Sequence, residues 1–217
     1  MRAITVHRNS AATCGIDLHC ALVLAMRRMP EFAQGLPKTR SAITYARRMH
    51  DGQRREVDGA PFIEHPLEVA SLLYYAGATD RVIAAGVLHD TLEKTNATEH
   101  DLAARFGSEI AAIVSAVSED QRIAAYAERK EALREQVENA GQDALMVFAA
   151  DKLSKIRELR HATGHKTKVR RKLRHYSACV ELLHRRLPES SLVSAAQREL
   201  DALPPQSRRC HQLSHVG

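Results

Sequence analysis

One stretch limits what this chain can fold into more than any other. Val82-Ile83-Ala84-Ala85-Gly86-Val87-Leu88 is apolar on every face and ends in His89-Asp90. A helix that is apolar all round has to be buried, so other elements must surround it. The composition says which kind. The 10 glycines and 7 prolines are about 8% of the 217 residues, against a usual total near 12%. Aromatic residues make up only 4%. Few turn-formers and few large ring side chains argue for helices and against a sandwich or barrel.

Helical punctuation continues along the chain. Ile16 to Met29 reads as a helix that stops at Pro30, and Gly35-Leu36-Pro37 is a break. Ser41 to His50 is the first helix of the main body, followed by a polar loop from Asp51 to Ile63. Pro66 to Ala76 is the next helix, with Pro66 suited to its first position and Gly77 to its C-terminal side. Asp80 is placed to cap the apolar helix. Thr98-Glu99-His100-Asp101 resembles a capping box with Asp as its fourth residue. Ser108 is placed to cap a helix carrying Ile110, Ile113, Val114 and Val117 at helical spacing. Tyr126, Leu133 and Val137 mark a more polar helix, and Asp143 to about Arg160 is another. Two more fit around 168–187 and 190–202. The expected fold is all-α, with about nine or ten helices in one domain over 39–203. Residues 1–38 form an N-terminal arm and helix of unassigned role, and 204–217 a frayed tail.

The net charge of +6 is unevenly spread. From Lys152 to Arg186, twelve Lys and Arg face only Glu158 and Glu181, so this segment is +10 and the rest of the chain −4. Such a block attracts nucleic acid, an acidic partner or a phosphate-rich small molecule, unless it is simply a solvated helix face. No aromatic-rich strand pair or zinc finger accompanies it, so nucleic acid is not the expected partner. No stretch approaches the ~18–20 apolar residues of a membrane span, and no membrane partner is expected. Cys14, Cys20, Cys179 and Cys210 form no CxxC pair, and no secretory signal precedes them. The expectation is reduced thiols in a cytoplasm.

Three polar features interrupt apolar surroundings. His89-Asp90 closes the apolar helix, Asp151 lies inside Val147-Phe148-Ala149-Ala150-Asp151-Lys152-Leu153, and His65 sits between Phe62-Ile63 and Pro66-Leu67. An ionised carboxylate in such a place is costly unless it is paired or bound to a cation. Two carboxylates and two imidazoles suggest a shared metal ion held by His65, His89, Asp90 and Asp151. Two nitrogens and two oxygens suit Mn²⁺, Fe²⁺ or Zn²⁺. Glu93, three residues after Asp90, shares its face if the helix continues, and would then handle the attacking water. Taken singly, each residue has a purely structural explanation. His65 can be a helix-start residue, and Asp151 can pair with Arg157 or another base. A second His-Asp pair, His100-Asp101, lies in a polar first turn where capping explains it. His161 and His165 have helical zinc spacing but no nearby acid, and read as surface.

The ordered set of motifs resembles a known family. Gly52-Gln53-Arg54-Arg55 followed by Gly59-Ala60-Pro61-Phe62-Ile63-Glu64-His65-Pro66-Leu67-Glu68-Val69-Ala70 resembles the opening of the HD hydrolase domain of RelA/SpoT homologues. Ala85-Gly86-Val87-Leu88-His89-Asp90-Thr91-Leu92-Glu93-Lys94-Thr95 is similar to the family's LLHDxxEDT segment. Ala149-Ala150-Asp151-Lys152-Leu153-Ser154-Lys155-Ile156-Arg157 is similar to LADKLxNxR. The likeness runs from about residue 39 to 190, in order. It implies an HD-superfamily helical fold of the stand-alone small alarmone hydrolase type, with one Mn²⁺. It also implies removal of the 3′-pyrophosphate from guanosine tetra- or pentaphosphate (ppGpp, pppGpp), leaving GDP or GTP. By motif the ligands are His65, His89, Asp90 and Asp151, the same four chosen by polarity, and Glu93 is the catalytic acid. The resemblance brings Arg54 or Arg55 to the nucleotide, with Arg171 or Lys172 as phosphate contacts.

Two positions depart from the pattern. Lys94 stands where the family has an acid after Glu93, and Lys155 where it has an asparagine. Lys94 either is harmless, pointing to solvent or pairing with Glu93, or instead depresses the pKa of Glu93 and weakens it as a base. Lys155, one turn after Asp151, either grounds substrate phosphates or pairs with Asp151 in competition with the metal. The leading expectation is a phosphohydrolase in which Glu93 and Lys94 serve catalysis and Lys155 binds phosphate. Its rivals are a regulator that binds a guanine nucleotide without hydrolysing it, and hydrolysis of another phosphorylated nucleotide such as NADPH. Nucleic-acid binding through 152–186 is a further alternative.

Overall fold

In a computed structural model the described residues are 28–161 and 166–203. The chain divides into two compact units, Met1–Pro30 and Glu31–Gly217, and the elements below belong to the second. The expected helix over 16–29, the tail from Pro204 and the loop around Gly164 lie outside the described residues.

The second unit is all-α. After a 3-10 turn at Glu31–Ala33 come α1 (Pro37–Met49), α2 (Glu64–Tyr75), α3 (Asp80–Leu88), the single turn α4 (Thr91–Lys94), α5 (Glu99–Phe106), α6 (Ser108–Val117), α7 (Tyr126–Glu138), α8 (Gln142–Glu158), α9 (Lys166–Arg186) and α10 (Ser191–Asp201). A second 3-10 turn, Leu159–His161, follows α8. The one β-bridge among the described residues joins Arg54 to Pro61 in the polar loop. None of the described helices is long and apolar enough to cross a membrane.

The apolar run is the hub. Val82 to Leu88 are all buried, and α3 packs against α1, α2, α6 and α8. Its crossing with α2 is so close that a Cβ on Gly86 would come within 2.3 Å of Leu73 Cδ1. Helix α8 is nearly as buried. It places Val147, Phe148, Ala149, Ala150 and Leu153 in the core and carries Asp151 and Lys152 in with them.

Several helix ends form otherwise than their local sequence suggests. Asp80 does not cap its own helix. Its carboxylate accepts from the backbone N–H groups of Lys38 (3.0 Å) and Thr39 (2.8 Å) and from Thr39 Oγ1 (2.7 Å). Those are the first two N–H groups of α1, since Pro37 has none, and they lack intrahelical partners. The cap lies 41–42 residues away in sequence, so it stabilises α1 and locks it to α3 together. It also lets α1 begin at Pro37 rather than Ser41. Helix α2 begins at Glu64, two residues before Pro66; the ring is still in the first turn, where a missing N–H leaves nothing unpaired. The α2 end is a full Schellman turn: Gly77, at φ +76°, donates to Tyr74 O, and Ala78 to Leu73 O. The Thr98–Asp101 capping box forms in both directions. Ser108 is the first residue of α6 rather than its cap, which falls on Gly107.

Candidate metal centre

Helix α3 stops at Leu88. Asp90, at φ −90° and ψ −4°, turns the chain, and α4 restarts at Thr91. The turn is held by Thr91 Oγ1, which donates to Leu88 O at 2.6 Å. Asp90 is the N-cap of α4 and its carbonyl accepts from the Lys94 N–H at 3.0 Å, so Asp90 and Glu93 belong to this short turn rather than to a continuation of α3. The break lets His89 and Asp90 both reach one spot at the buried end of α3. His65 comes to it from the first turn of α2, and Asp151 from the middle of α8.

The four side chains converge closely. His65 Nε2 lies 3.1 Å from His89 Nε2, 3.1 Å from Asp151 Oδ1 and 3.6 Å from Asp90 Oδ2. His89 Nε2 lies 3.4 Å from Asp90 Oδ2 and 3.5 Å from Asp151 Oδ1. All four residues are buried. His65, His89 and Asp151 alone bring ligand atoms within 4.8 Å of one another, and Asp90 adds its oxygen beside both rings. Adjacent ligands at about 2.1 Å from one ion sit roughly 3.0–3.4 Å apart, and the separations here run from 3.1 to 3.6 Å.

Hydrogen bonds behind the rings fix their protons. The Ser154 hydroxyl donates to Glu68 Oε2 at 2.8 Å, so its oxygen accepts from His65 Nδ1 at 2.9 Å. The Gly86 carbonyl can only accept, so His89 Nδ1 donates to it at 2.8 Å. Both Nε2 atoms then turn lone pairs toward the centre. Asp90 Oδ2 and Asp151 Oδ1, also facing it, are buried without a hydrogen-bond partner. Four electron-rich atoms so close together call for a cation. The residues fit a divalent metal ion.

The local electrostatics agree. Burial, reinforced by Lys155, brings the pKa of His65 down to about 4, leaving it neutral near pH 7. Burial also disfavours charge on His89, but Asp90 and Asp151 outweigh it and raise its pKa. The same two carboxylates favour a metal ion there. Burial alone would raise the Asp90 carboxyl; His89, Lys155, His65 and Lys94 together bring it down to about 2. Asp151 is likewise held well below the usual carboxylate range despite its burial, with Lys152 the chief cause.

Lys152 is the residue that sequence reasoning overlooked. Only 6% exposed, its Nζ donates to Asp151 Oδ2 at 2.5 Å and lies 4.4 Å from the centre of the Phe148 ring. This leaves Asp151 one free oxygen, Oδ1, for the centre. The expected competitor, Lys155, makes no ion pair with Asp151. The signal was present: a lysine inside an apolar helical run needs a buried partner. It was hidden by counting Lys152 with the basic segment.

Glu93 is partly buried, and its Oε1 accepts from the Glu119 N–H at 2.7 Å. Its pKa is raised, by burial first and then by the Asp90 charge. Lys94 does not pair with it. The Lys94 ammonium lies 5.4 Å from the centre of the Phe62 ring, and Lys155 lies 6.0 Å from the same ring. The other expected contacts divide. Arg55 is engaged by Asp58 and lies 4.0 Å from both Glu64 and Glu158. Arg54 is exposed and donates to Gly59 O at 3.2 Å. Lys172 is half-buried; burial, Lys168 and Lys155 lower its pKa. Arg171 is exposed and stacks 4.1 Å over the Tyr126 ring.

Fold and site together define an all-helical protein with a buried two-histidine, two-aspartate centre suited to a divalent metal. The chain belongs to the HD domain family, which matches residues 42–178. It is 38% identical over 125 residues to the human guanosine-3′,5′-bis(diphosphate) 3′-pyrophosphohydrolase MESH1, covering 56% of this chain and 69% of that one. It is 36% identical over 135 residues to a Myxococcus xanthus GTP pyrophosphokinase, covering 58% of this chain but only 18% of that longer protein. Among solved structures, a metazoan ortholog of SpoT superposes with a TM-score of 0.68 at 22% identity, over 80% of this chain and 96% of that one. That likeness concerns the fold. A Listeria monocytogenes protein superposes with a TM-score of 0.56 at 27% identity, over 66% and 95% of the two chains.

Proposed function

We propose that this chain is a metal-dependent phosphohydrolase that converts ppGpp or pppGpp to GDP or GTP and pyrophosphate. The reading rests above all on the two Nε2 lone pairs and two partnerless carboxylate oxygens that share one buried point. The human relative, named for this reaction and 38% identical, supports the choice of substrate. In this reading His65, His89, Asp90 and Asp151 hold the ion. Manganese is our assignment, with Fe²⁺ and Zn²⁺ as alternatives for a mixed nitrogen and oxygen set. A bound divalent ion supplies Lewis-acid polarisation and a lowered water pKa.

The chain's own groups do the rest. The water oxygen bonds to the phosphorus carried by O3′, and the P–O3′ bond breaks. Glu93 takes the proton from the water and returns one to O3′, so that one water is consumed and GDP and pyrophosphate leave. A raised pKa brings this carboxyl nearer to neutrality, where it can both accept and donate. With Oε1 tied to the Glu119 N–H, Oε2 is the atom that exchanges protons. Ser154 and Gly86 hold the imidazoles in the ligating tautomer, and Lys152 holds Asp151. The basic side chains Lys155 and Lys172 draw the polyphosphate toward the centre. A nucleotide substrate fits a cytoplasmic site of action.

The rival reading, a regulator that binds without hydrolysing, is motivated by Lys94 and Lys155, the first by blunting Glu93 and the second by competing with the metal for Asp151. Lys94 lies over Phe62, and the charges acting most on Glu93 are Asp90, Glu119 and Lys152. That favours hydrolysis. Incubating the manganese-loaded protein with ppGpp and separating the products by ion-exchange chromatography tests it. The expected result is GDP and pyrophosphate in equal amounts. Binding of ppGpp with no product after hours would favour the regulator instead.

A further inference from the structure

The two lysines that break the family pattern converge on one ring. Lys94 comes from α4 and Lys155 from α8, with their ammoniums 5.4 and 6.0 Å from the centre of Phe62. Phe62 is nearly buried, and its ring centre lies 6.1 Å from that of His65. The two cations thus meet at a ring next to His65, and both act on the Asp90 carboxyl.

The arrangement is constructed rather than accidental. Gln53 ties its halves together: its carbonyl accepts from the Phe62 N–H at 2.9 Å, and its side-chain Nε2 donates to Lys94 O at 2.8 Å. The Gln53 amide is itself oriented by buried His50, whose Nδ1 lies 2.9 Å from Gln53 Oε1. Neither Lys94 nor Lys155 makes an ion pair within 4.0 Å among the described residues. A ring face offsets about 0.5–1 kcal/mol per exposed cation, which does not replace a carboxylate. Lys172 adds to the crowding, its pKa lowered by burial and by Lys168 and Lys155. Asp90 feels both lysines and Glu158 feels Lys155, but neither acid is ion-paired to them within 4.0 Å, so the two ammoniums keep capacity for an anion.

We propose that Lys94 and Lys155, across Phe62, form a subsite for the second phosphoryl group of a diphosphoryl ester whose first phosphoryl lies at the metal centre. The site then selects diphosphoryl over monophosphoryl esters. An NADPH-type 2′-monophosphate leaves the lysines without a partner and is a poor substrate. This inference rests on the reading of the four-residue centre as the reaction site.

Two measurements separate it from that reading. The first compares kcat/KM for guanosine 5′-diphosphate 3′-diphosphate and guanosine 5′-diphosphate 3′-monophosphate. Lys94→Met and Lys155→Met each lower the value for the diphosphate about tenfold, and the double variant about a hundredfold. The value for the monophosphate falls by less, so the preference for the diphosphate narrows. The second uses chelator-treated protein and needs no turnover. Inorganic pyrophosphate binds more tightly than orthophosphate by calorimetry, and the double variant loses that difference. Both lysines have solvent-accessible side chains, and thermal melts of the single variants verify folding. If ppGpp is not hydrolysed but the pyrophosphate preference is present and lysine-dependent, the subsite stands and the proposed reaction falls. If ppGpp is hydrolysed and the double variant keeps the wild-type preference, the subsite is overturned. Equal binding of pyrophosphate and orthophosphate to the wild type overturns it as well.

Discussion

The Asp90→Ala variant is expected to purify without a divalent ion and to hydrolyse ppGpp about 10³-fold more slowly than the wild type. The ion's share of transition-state stabilisation is several kcal/mol, and each ~1.4 kcal/mol is tenfold in rate. Asp90 supplies one of two carboxylate oxygens. Without it, the ion faces two neutral imidazoles and Asp151, whose second oxygen is taken by Lys152. The fold is expected to survive, because the substitution removes a buried charge that lacks a hydrogen-bond partner on Oδ2. Metal analysis, initial rates and a thermal melt on the same preparation check all three points. A metal-loaded variant with undiminished turnover would end the account of the centre.

Glu93→Gln is expected to separate metal binding from chemistry. The ligand atoms are untouched, so the ion stays, while kcat falls about 10²–10⁴-fold with loss of proton transfer. The pH profile adds a check with a definite sign. A general base works as the carboxylate, so activity is lost as pH falls through its pKa. Burial and the Asp90 charge raise that pKa, so the acid limb of kcat lies above the ordinary glutamate value. In the variant that limb disappears. An unchanged kcat, or the same acid limb with glutamine in place, would remove Glu93 from the mechanism.

How far the sequence could be read depended on how local each determinant is. The burial of α3 was legible because seven successive apolar residues leave no face for water. The four site residues were legible because charge or imidazole in apolar context needs a partner. The capping box at Thr98 was legible because both partners lie within one turn. Asp80 was misread because its donors lie on α1, and no local rule sees across some forty residues. Whether the helix runs on past Asp90 was not legible, because the break is a change in ψ at an ordinary residue, without glycine or proline to announce it. Lys94 and Lys155 could be seen as departures from a pattern, yet where their ammoniums rest depends on the path of the polar loop that delivers Phe62. The ring orientation set by Ser154 and Glu68 was invisible for the same reason, since Ser154 pairs across 86 residues with Glu68.

The most direct test of the central claim is anomalous diffraction at the manganese edge from crystals grown with Mn²⁺. One peak per chain is expected, contacting His65 Nε2, His89 Nε2, Asp90 Oδ2 and Asp151 Oδ1. A saturated manganese solution that yields no peak at that point, with the four side chains bonded to other neighbours, would contradict it.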